Sequence, residues 1–166
     1  SYERTLEQRN ALLKERYCTP TLLETWNESL AVTGAALTVH RIALLARIRE
    51  HLVETYERIT TKETISVSYL PSWSQGSVPI AAIGSAPADD ERRAAIDTIS
   101  SRLMDAYSSR EDEEIRRGMT LTGPHRDEVV FEVNGRSARS FASQGQQRSI
   151  VIAWKMAEVE VTRDIL

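Results

Sequence analysis

The sequence predicts an α+β fold: a long helical hairpin arm, then a small antiparallel sheet that feeds a final helix. Three observations predict it. Leu23, Trp26, Leu30, Leu37, Leu44, Ile48, Leu52, Tyr56 and Ile59 recur at helical spacing across an unusually long run. Val129, Phe131 and Val133 alternate and lead into Asn134-Gly135, the strongest short hairpin signal. Beyond it, Ile150, Val151, Trp154, Ala157, Val161 and Ile165 follow three-four spacing behind a serine. Read as one lobe, the chain divides into an arm (1–62), a strand, loop and helices (63–118), and a β-hairpin with the last helix (119–166).

Tyr2 to Tyr17 reads as the first helix, with Tyr2, Leu6, Leu13 and Tyr17 on its apolar side. Thr19-Pro20 restarts the chain, threonine as N-cap and proline at the first helical position. The helix that follows should run about 55–60 Å at 1.5 Å per residue. Gly34 inside it marks a possible bend. Ile65, Val67 and Tyr69 alternate with serines in a strand that Pro71 stops. Residues 71–88, rich in Ser, Pro, Gly and Ala, read as a mobile loop with a short apolar piece at Ile80–Ile83. Asp89-Asp90-Glu91 opens a helix carried by Ile96, Ile99, Leu103 and Tyr107. Ser109 restarts a shorter helix that Gly118 ends, and the acids Glu111–Glu114 read as its solvated first turn. Met119 to Thr122 reads as a strand, Val129, Phe131 and Val133 as the buried face of a second, and Arg136 to Phe141 as a third. Trp154 falls on the apolar side of the last helix and reads as core.

Composition bounds the function. The 166 residues are 41% hydrophobic and 27% charged, an ordinary globular balance. Net charge is -3, so bulk electrostatics does not attract nucleic acid. Any DNA contact must come from a local patch of arginine and lysine. Arg41, Arg47, Arg49 and Arg58 are interleaved with Glu50, Glu54 and Glu57, which reads equally as a self-neutralised helix surface or as a face turned to phosphate. A single cysteine, Cys18, excludes an intrachain disulfide, and with three histidines it argues against zinc. No stretch reads as spanning a membrane and no secretory pattern opens the chain, so cytosol is the expected compartment.

The residues around the last turn carry the chemistry. Ser143 and Gln146 form a Ser-x-x-Gln capping box, with Gly145 between them. A helix that opens on free N–H groups, a hydroxyl and a glycine offers donors to an anion. An ordinary capped helix has the same letters. Ser143-Gln144-Gly145-Gln146-Gln147-Arg148 resembles the signature motif of the RecF family, that family's form of the Leu-Ser-Gly-Gly-Gln motif of ABC-type ATPases. Thr122-Gly123-Pro124-His125-Arg126-Asp127, with Val129, Phe131, Val133, Asn134 and Gly135 behind it, resembles the same family. So does the opening Tyr2, Arg4, Leu6, Gln8, Arg9, Asn10, Ala11, Leu12, Leu13 and Lys14.

The resemblance implies one lobe of an ABC-type ATPase head, in a DNA replication and recombinational repair protein tied to the SOS response. It implies ATP and Mg2+ as cofactors of the parent protein and an ATP-dependent, head-to-tail homodimer. In that dimer Ser143 to Arg148 meet the γ-phosphate of nucleotide held by the other subunit. Gapped or junction DNA and RecO- and RecR-type proteins are the implied partners, with recombinase loading as the outcome. His125, Arg126 and Asp127 are implied as a supporting loop. The Gly-x-x-x-x-Gly-Lys-Ser/Thr phosphate loop is absent from the sequence, as is an apolar run ending in paired acids. The chain therefore reads as a middle lobe that by itself neither binds nor hydrolyses ATP. The alternative is a non-enzymatic helical module that binds protein. A head of a longer coiled-coil chromosome-maintenance protein would need a far longer arm.

His125-Arg126-Asp127 has two other readings. A protein-kinase catalytic loop would need asparagine where Glu132 stands and a glycine-rich loop before it. A Ser143–His125–Asp127 triad would need a nucleophile elbow and an oxyanion loop, both absent. The simplest local reading is a proline-fixed turn with Arg126 and Asp127 paired.

Overall fold

The computed structural model describes residues 1–74 and 88–165. The elements are α1 (Tyr2–Leu13), α2 (Pro20–Thr60), β1 (Ile65–Leu70), α3 (Asp89–Arg117), β2 (Glu128–Val133), β3 (Arg136–Ser137), α4 (Ala138–Phe141) and α5 (Gln144–Ile165). The expected loop lies mostly outside the described residues, including its apolar piece at Ile80–Ile83. Two compact units emerge: residues 1–41, 71–74 and 88–128 form one, and 42–70 with 129–165 the other.

In the first unit, α1 buries Tyr2, Thr5, Arg9 and Leu13, whereas Tyr17, expected on that face, is 80% exposed. The helix stops at Leu13, so Tyr17 never joins its register. α2 is one continuous helix of 41 residues. Gly34 serves close approach: an added Cβ would stand 3.1 Å from Tyr2 Cε2 and 3.3 Å from Pro124 Cδ. α3 is also continuous, where two helices were expected. Ser109 turns its hydroxyl back onto the Ala106 carbonyl at 3.0 Å and caps nothing. The Ala88 N–H donates to Glu91 at the start of α3, and Gly118, at φ 65°, closes its end. Glu114 is fully buried, so the acidic run is not simply a solvated turn. Met119 to Thr122 is not a strand. The N–H groups of Thr120 and Leu121 donate instead to the side chains of Asn10 and Glu114.

In the second unit, Ile42, Leu52 and Tyr56 of α2 share a core with Ile65, Val67 and Tyr69 of β1 and Ala153 and Ala157 of α5. The three-stranded antiparallel sheet runs β1-β2-β3. β2 and β3 pair at Glu132↔Ser137 and Val133↔Arg136. The third strand is shorter than expected: Ala138–Phe141, with no β-branched residue, coils into the single turn of α4. Val133 is buried and Phe131 packs partly against the core, but Val129 is 38% exposed. On α5, Val151 faces out and Trp154 is half-buried. Trp154 meets Phe131 edge-on at 5.6 Å and donates its indole N–H to Glu158.

Among the described residues one helix, α2, is long and apolar enough to cross a membrane, contrary to the sequence expectation. Its most apolar window has mean hydropathy 1.5, and half of that window is buried in the fold, as in a core helix.

Asn134 and Gly135 both take positive φ, 51° and 74°, the requirement of a type I′ turn. Nothing lies within 4 Å of a Cβ added at Gly135, so substitution there probes backbone conformation alone. Gly135→Val is expected to cost about 1–2 kcal/mol. A thermal melt matching the wild type would contradict that turn.

Candidate functional site

The capping box closes in both directions. The Gln146 N–H donates to Ser143 Oγ at 3.2 Å, and the Ser143 N–H donates to Gln146 Oε1 at 2.8 Å. Ser143 Oγ therefore spends a lone pair inside the box and keeps its proton for an outside acceptor. The first helical N–H groups, on Gln144 and Gly145, have no intrahelical acceptor. Ser143, Gln144, Gly145, Gln147 and Arg148 are exposed and Gln146 is half-buried. A Cβ on Gly145 would meet only Ser143 Oγ, at 3.8 Å. The whole motif thus sits together at an open, donor-rich helix start.

Behind it lies a brace that sequence spacing does not announce. Gln146 Nε2 donates to Glu63 Oε1 at 2.8 Å across 83 residues. The buried Tyr56 hydroxyl donates to Glu63 Oε2 at 2.8 Å.

His125, Arg126 and Asp127 sit together on the turn after α3, in the other unit. His125 Nε2 lies 3.1 Å from the Thr120 carbonyl, which only accepts, so Nε2 carries the proton. Nδ1 then accepts from the Tyr2 hydroxyl at 2.7 Å. Burial pushes the imidazole pKa down, which favours this neutral tautomer. Burial also pushes the Tyr2 phenol well above its ordinary value, keeping it a donor. Asp127 accepts from the Ser72 N–H and hydroxyl, both at 2.7 Å. Arg41 Nη1 donates to the Pro124 carbonyl at 2.5 Å. With both ring nitrogens engaged, His125 has none left to serve as base for a serine.

A buried network holds this turn. Arg9 donates to Asn27 (2.8 Å), Thr120 (2.7 Å) and Glu114 (2.7 Å), and its guanidinium lies 4.9 Å from the Tyr107 ring centre. Asn10 accepts from both the N–H and the hydroxyl of Thr120, at 2.8 Å each. Tyr2, Arg9 and Asn10 of the opening block are thus the residues that fasten the turn bearing His125. Arg126 is exposed and reaches Met119 Sδ at 3.5 Å. With Arg110, Arg117, Glu113 and Leu121 these two residues line a cavity of about 570 Å³.

No family model matches the chain. The DNA replication and repair protein RecF of Myxococcus xanthus is 37% identical over 161 residues, covering 96% of this chain and 39% of that protein. RecF of Citrifermentans bemidjiense is 41% identical over 164 residues, covering 98% and 40%. Among solved structures, the recombination mediator protein RecF-ATPrS in the RecFOR pathway superposes with a TM-score of 0.81 at 25% identity. That match covers 98% of this chain and 40% of the other. The corresponding RecF-ATP structure gives 0.80 at 26% identity. The chain spans about two-fifths of the length of the curated relatives it matches. Sequence and fold agree over nearly all its residues, and the chain is a RecF-type stretch of that length.

Proposed function

We propose that this stretch is the lobe of a RecF-type DNA replication and repair ATPase that meets ATP held by a second subunit. The observation that carries the reading is the closed capping box at an open helix start. It leaves the Ser143 hydroxyl proton unused within the box and the Gln144 and Gly145 amides without an intrahelical acceptor, on three exposed residues. Such donors at the positive end of a helix stabilise phosphate oxygens without reorganising. Relatives of the same fold are described with ATP or ATPrS. The phosphate loop and the magnesium carboxylates belong to sequence other than this stretch. ATP would therefore report pairing of two subunits, and hydrolysis would release it.

The remaining parts of the reading follow from the family. Gapped or junction DNA, RecO- and RecR-type partners, recombinase loading, the SOS response and a cytoplasmic setting all belong to the whole protein. Arg110, Arg117 and Arg126 around one cavity support a local basic patch for such a DNA contact, partly offset by Glu113, which pairs with Arg117 at 2.7 Å.

The test uses full-length RecF carrying this stretch. Ser143→Arg is expected to leave nucleotide affinity of the monomer intact and to abolish ATP-dependent dimerisation, since arginine fills the approach of the γ-phosphate. Ser143→Ala is its companion: it removes cap and hydroxyl for about 1 kcal/mol of stability, without added bulk. Sedimentation with and without a non-hydrolysable ATP analogue reads the outcome. Wild-type dimerisation by both variants would leave Ser143 a helix cap and nothing more.

A further inference from the structure

The turn that joins α2 to β1 is held at unusual backbone cost. Thr61, β-branched and exposed, sits at φ 49° in the left-handed region that such residues avoid. Its N–H donates to the Glu57 carbonyl at 3.0 Å, and the Lys62 N–H to the Thr60 carbonyl at 2.6 Å. On its far side the turn is stapled to the hairpin tip. The Thr64 N–H donates to Asn134 Oδ1, and the Asn134 N–H donates to the Thr64 carbonyl, both at 2.9 Å. What this geometry presents is Glu63, with both carboxylate oxygens committed: one to the buried Tyr56 hydroxyl and the other to Gln146.

A glutamine side chain has a donor end and an acceptor end, and either can be turned to face a neighbour. Glu63 only accepts, so it captures the donor end of Gln146. The acceptor end then faces the Ser143 N–H, as the capping box requires. Reversed, the amide would set two donors against each other. Burial, with the adjacent carboxylate, pushes the Tyr56 phenol pKa above its ordinary value, so the hydroxyl remains protonated as donor.

We infer that Glu63, held by Tyr56 on the Thr61 turn, is a positioning residue for the signature motif. It selects the Gln146 orientation in which Oε1 meets the Ser143 N–H, which closes the capping box and fixes the backbone that carries the Ser143 hydroxyl. The inference rests on the ATP-contacting role proposed above for Ser143.

In full-length RecF carrying this stretch, Glu63→Ala is expected to weaken ATP-dependent association at least about tenfold, the loss of a charged hydrogen bond, with nucleotide affinity of the monomer unchanged. Glu63→Gln still accepts from Gln146 and offers its amide to the Tyr56 oxygen, and should return association to within about twofold of wild type. The double variant Tyr56→Phe/Glu63→Ala removes the hydroxyl left buried, and it should behave as Glu63→Ala without a folding defect. Hydrogen exchange at the Ser143 amide gives an independent reading and should quicken in Glu63→Ala. Wild-type association in Glu63→Ala, or unchanged exchange at Ser143, would overturn the inference. If Ser143→Arg also associates normally, the ATP-contacting role falls instead. Exchange at Ser143 then decides alone whether Glu63 orients the motif.

Discussion

Glu114→Ala is expected to remove about 3–5 kcal/mol of stability, the cost of leaving a buried guanidinium without its carboxylate. Arg9 and Glu114 are both 0% exposed and 2.7 Å apart. Glu114 Oε1 also accepts the Leu121 N–H at 2.7 Å, so alanine strands a backbone donor as well. Against a typical total of about 5–15 kcal/mol, that is a large fraction. Replacing both partners by apolar residues, as in Arg9→Met/Glu114→Leu, should cost much less, because no charge is left stranded. Denaturant unfolding of Arg9→Met, Glu114→Leu and the double variant measures the coupling. A Glu114→Ala cost below about 1 kcal/mol would mean that the pair does not hold α1, α3 and the turn together.

Gly123→Ala is expected to cost on the order of 3 kcal/mol, from two effects at one atom. Gly123 has φ 132°, where an L side chain is strained, and its added Cβ would run into the Tyr2 hydroxyl. Tyr2 could yield only by giving up its 2.7 Å bond to His125. Chemical denaturation measures the loss. Histidine nitrogen shifts would show whether the Nε2–H tautomer survives. A variant with wild-type stability and the same tautomer would mean that the turn has room to move.

Features read correctly from the sequence are local. Helical spacing from Leu23 to Ile59 is realised as α2, the alternation of Ile65, Val67 and Tyr69 as β1, and Asn134-Gly135 as the turn between β2 and β3. The capping box was also legible, because Ser143 and Gln146 are three residues apart and satisfy each other. What the sequence concealed depends on distant partners. Thr120 and Leu121 look like a strand until Asn10 and Glu114 take their N–H groups. Glu114 looks solvated until Arg9 is placed beside it. Ser109 has the letters of a cap, but bonding back to Ala106 lets α3 run on. Glu63 stands in a polar turn with no motif of its own, and only the fold brings it to Gln146.

The clamp on the His125 turn also orders events in time. Arg9 and Glu114 are separated by 105 residues, and Tyr2 and His125 by 123. At roughly 5–20 residues per second of synthesis, Arg9 waits about 5–20 s for its carboxylate to be made. During that wait α1 has no buried counter-ion to enter with, and an unpaired guanidinium opposes burial of the helix face that carries it. Closure of so long a loop is entropically costly and must come before its contacts repay it. Docking of the first helix is therefore expected late in folding, after α3 has emerged.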